Sequence, residues 1–153
     1  MDDLYTDSAK RVMAIAQEQA NYFRHQAIGT EHLLLALTIE DKGVAGQVLK
    51  QAMVTPGDVR REIERLAGYG NLLRQSPSNY LPYSPKAKAV LDETRKQAFL
   101  TGAVRIGTEH FLLALLSDED ILSSRILTSL HVDCKKLRQI LLRKLGISQS
   151  QLR

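Results

Sequence analysis

Two decapeptides that differ at one position, IGTEHLLLAL at residues 28–37 and IGTEHFLLAL at residues 106–115, constrain this chain more than any other feature. They lie 78 positions apart. The same offset aligns Tyr5 with Tyr83, Ala9-Lys10 with Ala87-Lys88, and Val12 with Val90. It also aligns Gln19-Ala20 with Gln97-Ala98, Leu49 with Leu127, Val54 with Val132, and Gly68 with Gly146, with no gap between the two ends. A fixed internal period of this kind marks one structural unit used twice. The repeats span residues 4–68 and 83–146, with a linker at 69–82 and a tail at 147–153. At 153 residues, the whole chain reads as one domain whose halves share a core around a pseudo-two-fold axis.

Each repeat reads as four helices. The first starts at Thr6, an N-cap residue, and carries Val12, Met13, Ala16, Ala20 and Phe23 at helical spacing. Its copy starts at Ser84, with Pro85 at the first helical position. Gly29-Thr30 and Gly107-Thr108 break the chain, with the Thr capping the second helix, where Leu34 and Leu112 are candidate core residues. A short third helix is predicted over Val44–Gln51 and over Leu122–Leu130. The fourth opens at Thr55-Pro56 and runs through Val59, Ile63 and Leu66 to Gly68. Its copy uses Leu137, Ile140, Leu141 and Leu145 before Gly146. No segment alternates with a period of two long enough to suggest a sheet, so the fold class is all-α.

Composition narrows the function classes. One cysteine, Cys134, excludes an intrachain disulfide and a thiolate metal cluster. No apolar run approaches the ~20 residues of a membrane span, and MDDLYTDSAK has no signal-peptide character, so a cytoplasmic protein without a membrane partner is expected. Residues 83–153 hold 12 Lys/Arg against 7 Asp/Glu, but without interleaved aromatics or a nucleic-acid motif. Such faces are usually solvated, so nucleic acid is not the expected partner. G-x-x-x-x-G-K-[ST] and G-x-S-x-G are both absent, so neither ATP hydrolysis nor serine-hydrolase chemistry is expected of this chain. The acidic run Asp118-Glu119-Asp120 falls on an expected loop and reads as solvated.

Thr30-Glu31-His32 and Thr108-Glu109-His110 stay identical, whereas the preceding segments NYFRHQA (21–27) and FLTGAVR (99–105) share no residue. Two readings compete. In the structural one, Thr caps its helix, Glu favours the helix dipole and His is a half-buried polar filler. In the other, Glu31 and Glu109 receive the cationic part of a zwitterionic ligand while helix N-termini hold its anionic part. The hydroxyls of Thr6 and Ser84 would extend that cradle. A metal site from Glu31, His32, Glu109 and His110 is set aside, because adjacent helical residues diverge by about 100° and HExxH is absent.

The paired decapeptides, together with YTDSAKRVMAIAQEQA and YSPKAKAVLDETRKQA, resemble the amino-terminal domain of Clp-family AAA+ unfoldases. The double GTEH is most similar to the ClpC type. The resemblance runs from about Leu4 to Gly146. It implies a monomeric domain above a hexameric ATPase ring, receiving protein substrates and adaptor proteins for unfolding and transfer to the ClpP peptidase. ATP and Mg²⁺ would belong to modules beyond Arg153, with no cofactor in this domain. It further implies that Glu31 and Glu109 bind phosphoarginine, a degradation mark, with Thr6, Ser84, Thr30 and Thr108 around the phosphate. Departures stand out: Asp2-Asp3-Leu4 stands where the family has an aromatic near the start, and DKGVAGQVL and DEDILSSRIL replace the family's GEGxAAxxL. A stand-alone accessory protein of the same fold is the alternative expectation.

Overall fold

Helix starts in this molecule are satisfied partly from within each repeat and partly from the other one. The computed structural model describes residues 4–70 and 80–146. Among these residues eight helices form and no strand does. The first repeat holds α1 (Asp7–Tyr22), α2 (Thr30–Ile39), α3 (Val44–Gln51) and α4 (Pro56–Leu66). The second holds α5 (Pro85–Leu100), α6 (Thr108–Leu115), α7 (Leu122–Ser129) and α8 (Cys134–Lys144). Residues 71–79, within the expected linker, and the tail at 147–153 lie outside the described residues.

Four helices carry their own caps. Thr6 Oγ1 accepts the Ala9 N–H and Ser84 Oγ accepts the Ala87 N–H, each at 3.1 Å. Thr55 caps α4 through Asp58, and Asp133 caps α8 through Lys135 and Lys136. These contacts satisfy first-turn donors that have no intrahelical partner. The N-caps of α2, α3, α6 and α7 are Gly29, Gly43, Gly107 and Ile121, which offer no such oxygen. Beyond α4 and α8, Gly68 and Gly146 adopt φ of 66° and 70°, the left-handed conformation that ends a helix most easily at glycine.

The repeats are tied by two short parallel contacts of identical form. Thr6 N–H donates to Ile106 O at 2.9 Å, and Ile106 N–H donates to Leu4 O at 2.8 Å. The counterparts are Ser84 N–H to Ile28 O at 2.9 Å and Ile28 N–H to Pro82 O at 2.8 Å. The start of each repeat's first helix is thereby fastened beside the GTEH of the other repeat.

The second helices fill the centre. Leu33 to Leu37 and Phe111 to Leu115 are all buried, so α2 and α6 are apolar all round rather than along one stripe. α2 packs against α1, α3 and α4 of its own repeat and against α5, α6 and α7 of the other. The predicted apolar face of the fourth helix needs correction. Leu66 and Ile140 are 39% and 41% exposed, while Leu142 is buried with Leu137 and Leu141.

Candidate functional site

Each residue of the repeated Gly-Thr-Glu-His occupies a defined place at the start of a central helix. Gly29 and Gly107, not the threonines, are the N-caps. A Cβ on Gly29 would collide with Glu31 Oε1, and one on Gly107 with Glu109 Oε1. Glycine is what lets each carboxylate fold back over its own helix start.

The threonines act across the repeats. Thr30 Oγ1 accepts the N–H of Ser123 in α7 at 3.2 Å, and Thr108 Oγ1 accepts the N–H of Ala45 in α3 at 3.1 Å. Each therefore caps the third helix of the opposite repeat, which has no capping side chain of its own. The expectation that Thr caps its own helix is corrected on this point. Both threonines are buried.

The histidines are fully buried rather than half-buried fillers. Gly29 N–H donates to His32 Nδ1 at 2.8 Å, and Gly107 N–H donates to His110 Nδ1 at 2.9 Å. This is the reverse half of a capping box, with imidazole as acceptor. Because Nδ1 accepts, the proton of each neutral ring sits on Nε2. His32 Nε2–H then donates to His25 Nδ1 at 2.8 Å, and His25 Nε2–H donates to Gly68 O at 2.7 Å. The relay joins the start of α2 to the end of α4. In the second repeat the His110 Nε2–H faces Thr101 Oγ1 at 3.2 Å, and that hydroxyl donates to Ala98 O. Burial, reinforced by His25, lowers the His32 pKa to about 3. Burial also lowers that of His110.

Glu31 and Glu109 remain as the two partly exposed members of the motif. Burial raises the Glu31 carboxyl above its ordinary value, partly offset by the hydrogen bond from its own N–H and by His25. A cleft of about 380 Å³ opens over it, lined also by His25, Thr30, Ser84 and Lys86. A carboxylate from the first repeat thus shares a cleft with the N-terminus of α5 from the second, where helix dipole and lysine favour an anion. In the pseudo-symmetric arrangement, Thr6 hydrogen-bonds through its N–H to Ile106, three residues before Glu109. The structure therefore groups Glu31 and Thr30 with Ser84 in one cleft, and bonds Thr6 to Ile106 in the segment that leads into Thr108 and Glu109.

Sequence reasoning missed Lys86 and His25. A lysine in a first helical turn opposes the helix dipole, so Lys86, two residues after its N-cap, carried a readable signal. His25 carried none, since its contact with His32 arises from the chain turn after α1. His25, Glu31 and His32 also bring three metal-ligand atoms within 4.8 Å of one another. However, His32 Nε2 carries the proton that Gly29 dictates, so the relay occupies the lone pairs a cation would need.

Comparison with known proteins decides the family. The Clp repeat (R) N-terminal domain profile matches residues 4–130. The chain belongs to this family. The chaperone protein ClpB of Oceanobacillus iheyensis is 35% identical over 147 residues, covering 96% of this chain and 18% of that protein. The negative regulator of genetic competence ClpC/MecB of Bacillus subtilis is 36% identical over 146 residues, covering 95% of this chain and 18% of that one. This Clp N-terminal domain therefore spans less than a fifth of the length of these relatives. The crystal structure of the N-terminal domain of ClpD from Arabidopsis thaliana has the same fold, with a TM-score of 0.77 at 21% identity and coverage of 94% and 95%. No helix among the described residues is long and apolar enough to cross a membrane.

Proposed function

We propose that this Clp N-terminal domain is a receiving module for protein substrates and adaptors of a Clp ATPase, with two sites for phosphoarginine. One observation carries the reading. The Glu31 carboxylate of one repeat shares a cleft with Lys86 and the capped α5 N-terminus of the other. Phosphoarginine has matching ends, a guanidinium group for a carboxylate and a phosphate for a lysine and the positive end of a helix dipole. Thr30 and Thr108 hold the fold around the sites, since their hydroxyls are engaged in capping. Ser84 and Thr6 border the phosphate ends. Substrates held here would pass to the ATPase ring of the parent protein and from there to the ClpP peptidase.

Calorimetric titration of the domain with free phosphoarginine tests this, wild type beside the Glu31→Ala/Glu109→Ala variant. Binding near two ligands per chain, lost in a variant with unchanged helical circular dichroism, is expected. A wild type that binds no phosphoarginine would leave GTEH with structural roles alone.

A further inference from the structure

At the offset that aligns the repeats, an ion pair complete in the first is half deleted in the second. In the first repeat, Arg11 donates to Glu40 Oε2 from Nε and from Nη2, each at 2.8 Å. Glu40 is buried, and its other oxygen accepts the Gly43 N–H at 2.8 Å. The Arg11 side chain therefore lies across the junction between α1 and the α2–α3 loop.

The second repeat keeps the carboxylate and lacks the guanidinium. Ala89 stands at the place of Arg11, Glu93 at that of Ile15, and Asp118-Glu119-Asp120 at that of Glu40-Asp41-Lys42. A cleft of about 630 Å³ lies here between α5 and the α6–α7 loop, lined by these residues and by Val90, Leu116 and Ile121. Charge is no longer balanced. In the first repeat Arg11 and Lys42 offset Glu40 and Asp41, whereas in the second Lys86 alone faces four carboxylates.

We propose that this cleft docks an arginine side chain of a partner protein, its guanidinium taking the place that Arg11 takes in the first repeat. The planar fork suits Asp118 and Glu93, and the methylene stem suits the apolar surface of Val90 and Leu116. Ammonium, a compact and strongly hydrated charge, matches the site less well. The ligand is unmodified arginine, because phosphate on the guanidinium would bring anionic charge to the carboxylates. This docking goes beyond the phosphoarginine reading and does not depend on it.

The test is an NMR titration of ¹⁵N-labelled domain at physiological salt with capped Gly-Ser-Arg-Ser-Gly and its lysine, citrulline and phosphoarginine counterparts. The arginine peptide is expected to shift the amides of Ala89, Glu93 and Ser117 to Asp120, with lysine weaker and citrulline silent. The Ala89→Arg/Asp118→Glu variant, which rebuilds the first-repeat pair at an exposed position of α5, should weaken binding by roughly tenfold or more. The Glu31→Ala/Glu109→Ala variant should bind the arginine peptide unchanged, which separates this cleft from the phosphoarginine sites. Equal shifts with citrulline, unchanged binding by the rebuilt pair, or no shift in the wild type would overturn the assignment. So would calcium moving these amides while the peptide leaves them in place, which would mark a cation patch instead.

Discussion

Thr108 accepts the backbone N–H of Ala45 at 3.1 Å across a sequence separation of 63, and so caps a helix in the opposite repeat. Thr30 does the same for Ser123. The duplicated motif thus serves as a reciprocal fastening between the halves. Thr108→Val should lower stability by about 1 kcal/mol, within the range for lost helix caps, because a buried N–H at the start of α3 loses its acceptor. Thr108→Ser should recover most of it. Denaturant unfolding of the three proteins checks the order.

Leu34 and Leu112 are fully buried on the two central helices. Replacing either with Ala should cost about 2–5 kcal/mol, since neighbours on both sides of the central helix cannot all collapse onto the gap. A single urea transition with an unchanged slope in both variants would show that the halves unfold as one unit.

The His25–His32 relay makes stability sensitive to acid. His32 has a folded pKa of about 3, below its ordinary value of 6.5. The unfolded chain therefore binds the proton first. Its contribution is complete above pH 6.5 and is lost as pH falls from there toward 3. Melting temperature should drop over this window, and the drop should shrink in His32→Gln, which keeps an acceptor for Gly29. An identical pH profile in that variant would contradict the relay.

Glu31 works in the opposite sense. Its folded pKa is raised by burial, so the folded state is favoured in acid and that advantage disappears as pH rises through the folded value. Glu31→Gln should therefore be stabilised relative to wild type at pH 7 and matched to it at pH 4. Because a carboxylate held against its own stability is a mark of a binding role, the same variant should lose phosphoarginine affinity. Paired thermal melts and titrations check both halves of the statement.

Much of this architecture was legible in the chain. The 78-residue offset showed a duplication, and helix starts at Thr6, Ser84 and Thr55 were readable because capping is a local bond within three residues. What escaped was whatever depended on tertiary packing. Thr30 and Thr108 carry the local signature of a cap and serve a distant one, and Leu66 and Ile140 have helical spacing but face solvent. His25 reaches His32 only through the turn that follows α1.

The sequence by itself determined the duplication, the all-helical class and the identity of the repeated polar head, because these follow from short-range periodicity and capping. Only the tertiary structure decided that Glu31 shares its cleft with Ser84 and Lys86 of the other repeat, and that Thr30 and Thr108 cap helices of the opposite repeat. Those relationships arise from the pseudo-two-fold packing that carries each helix start across to the opposite half, a geometry that spacing along one chain does not contain.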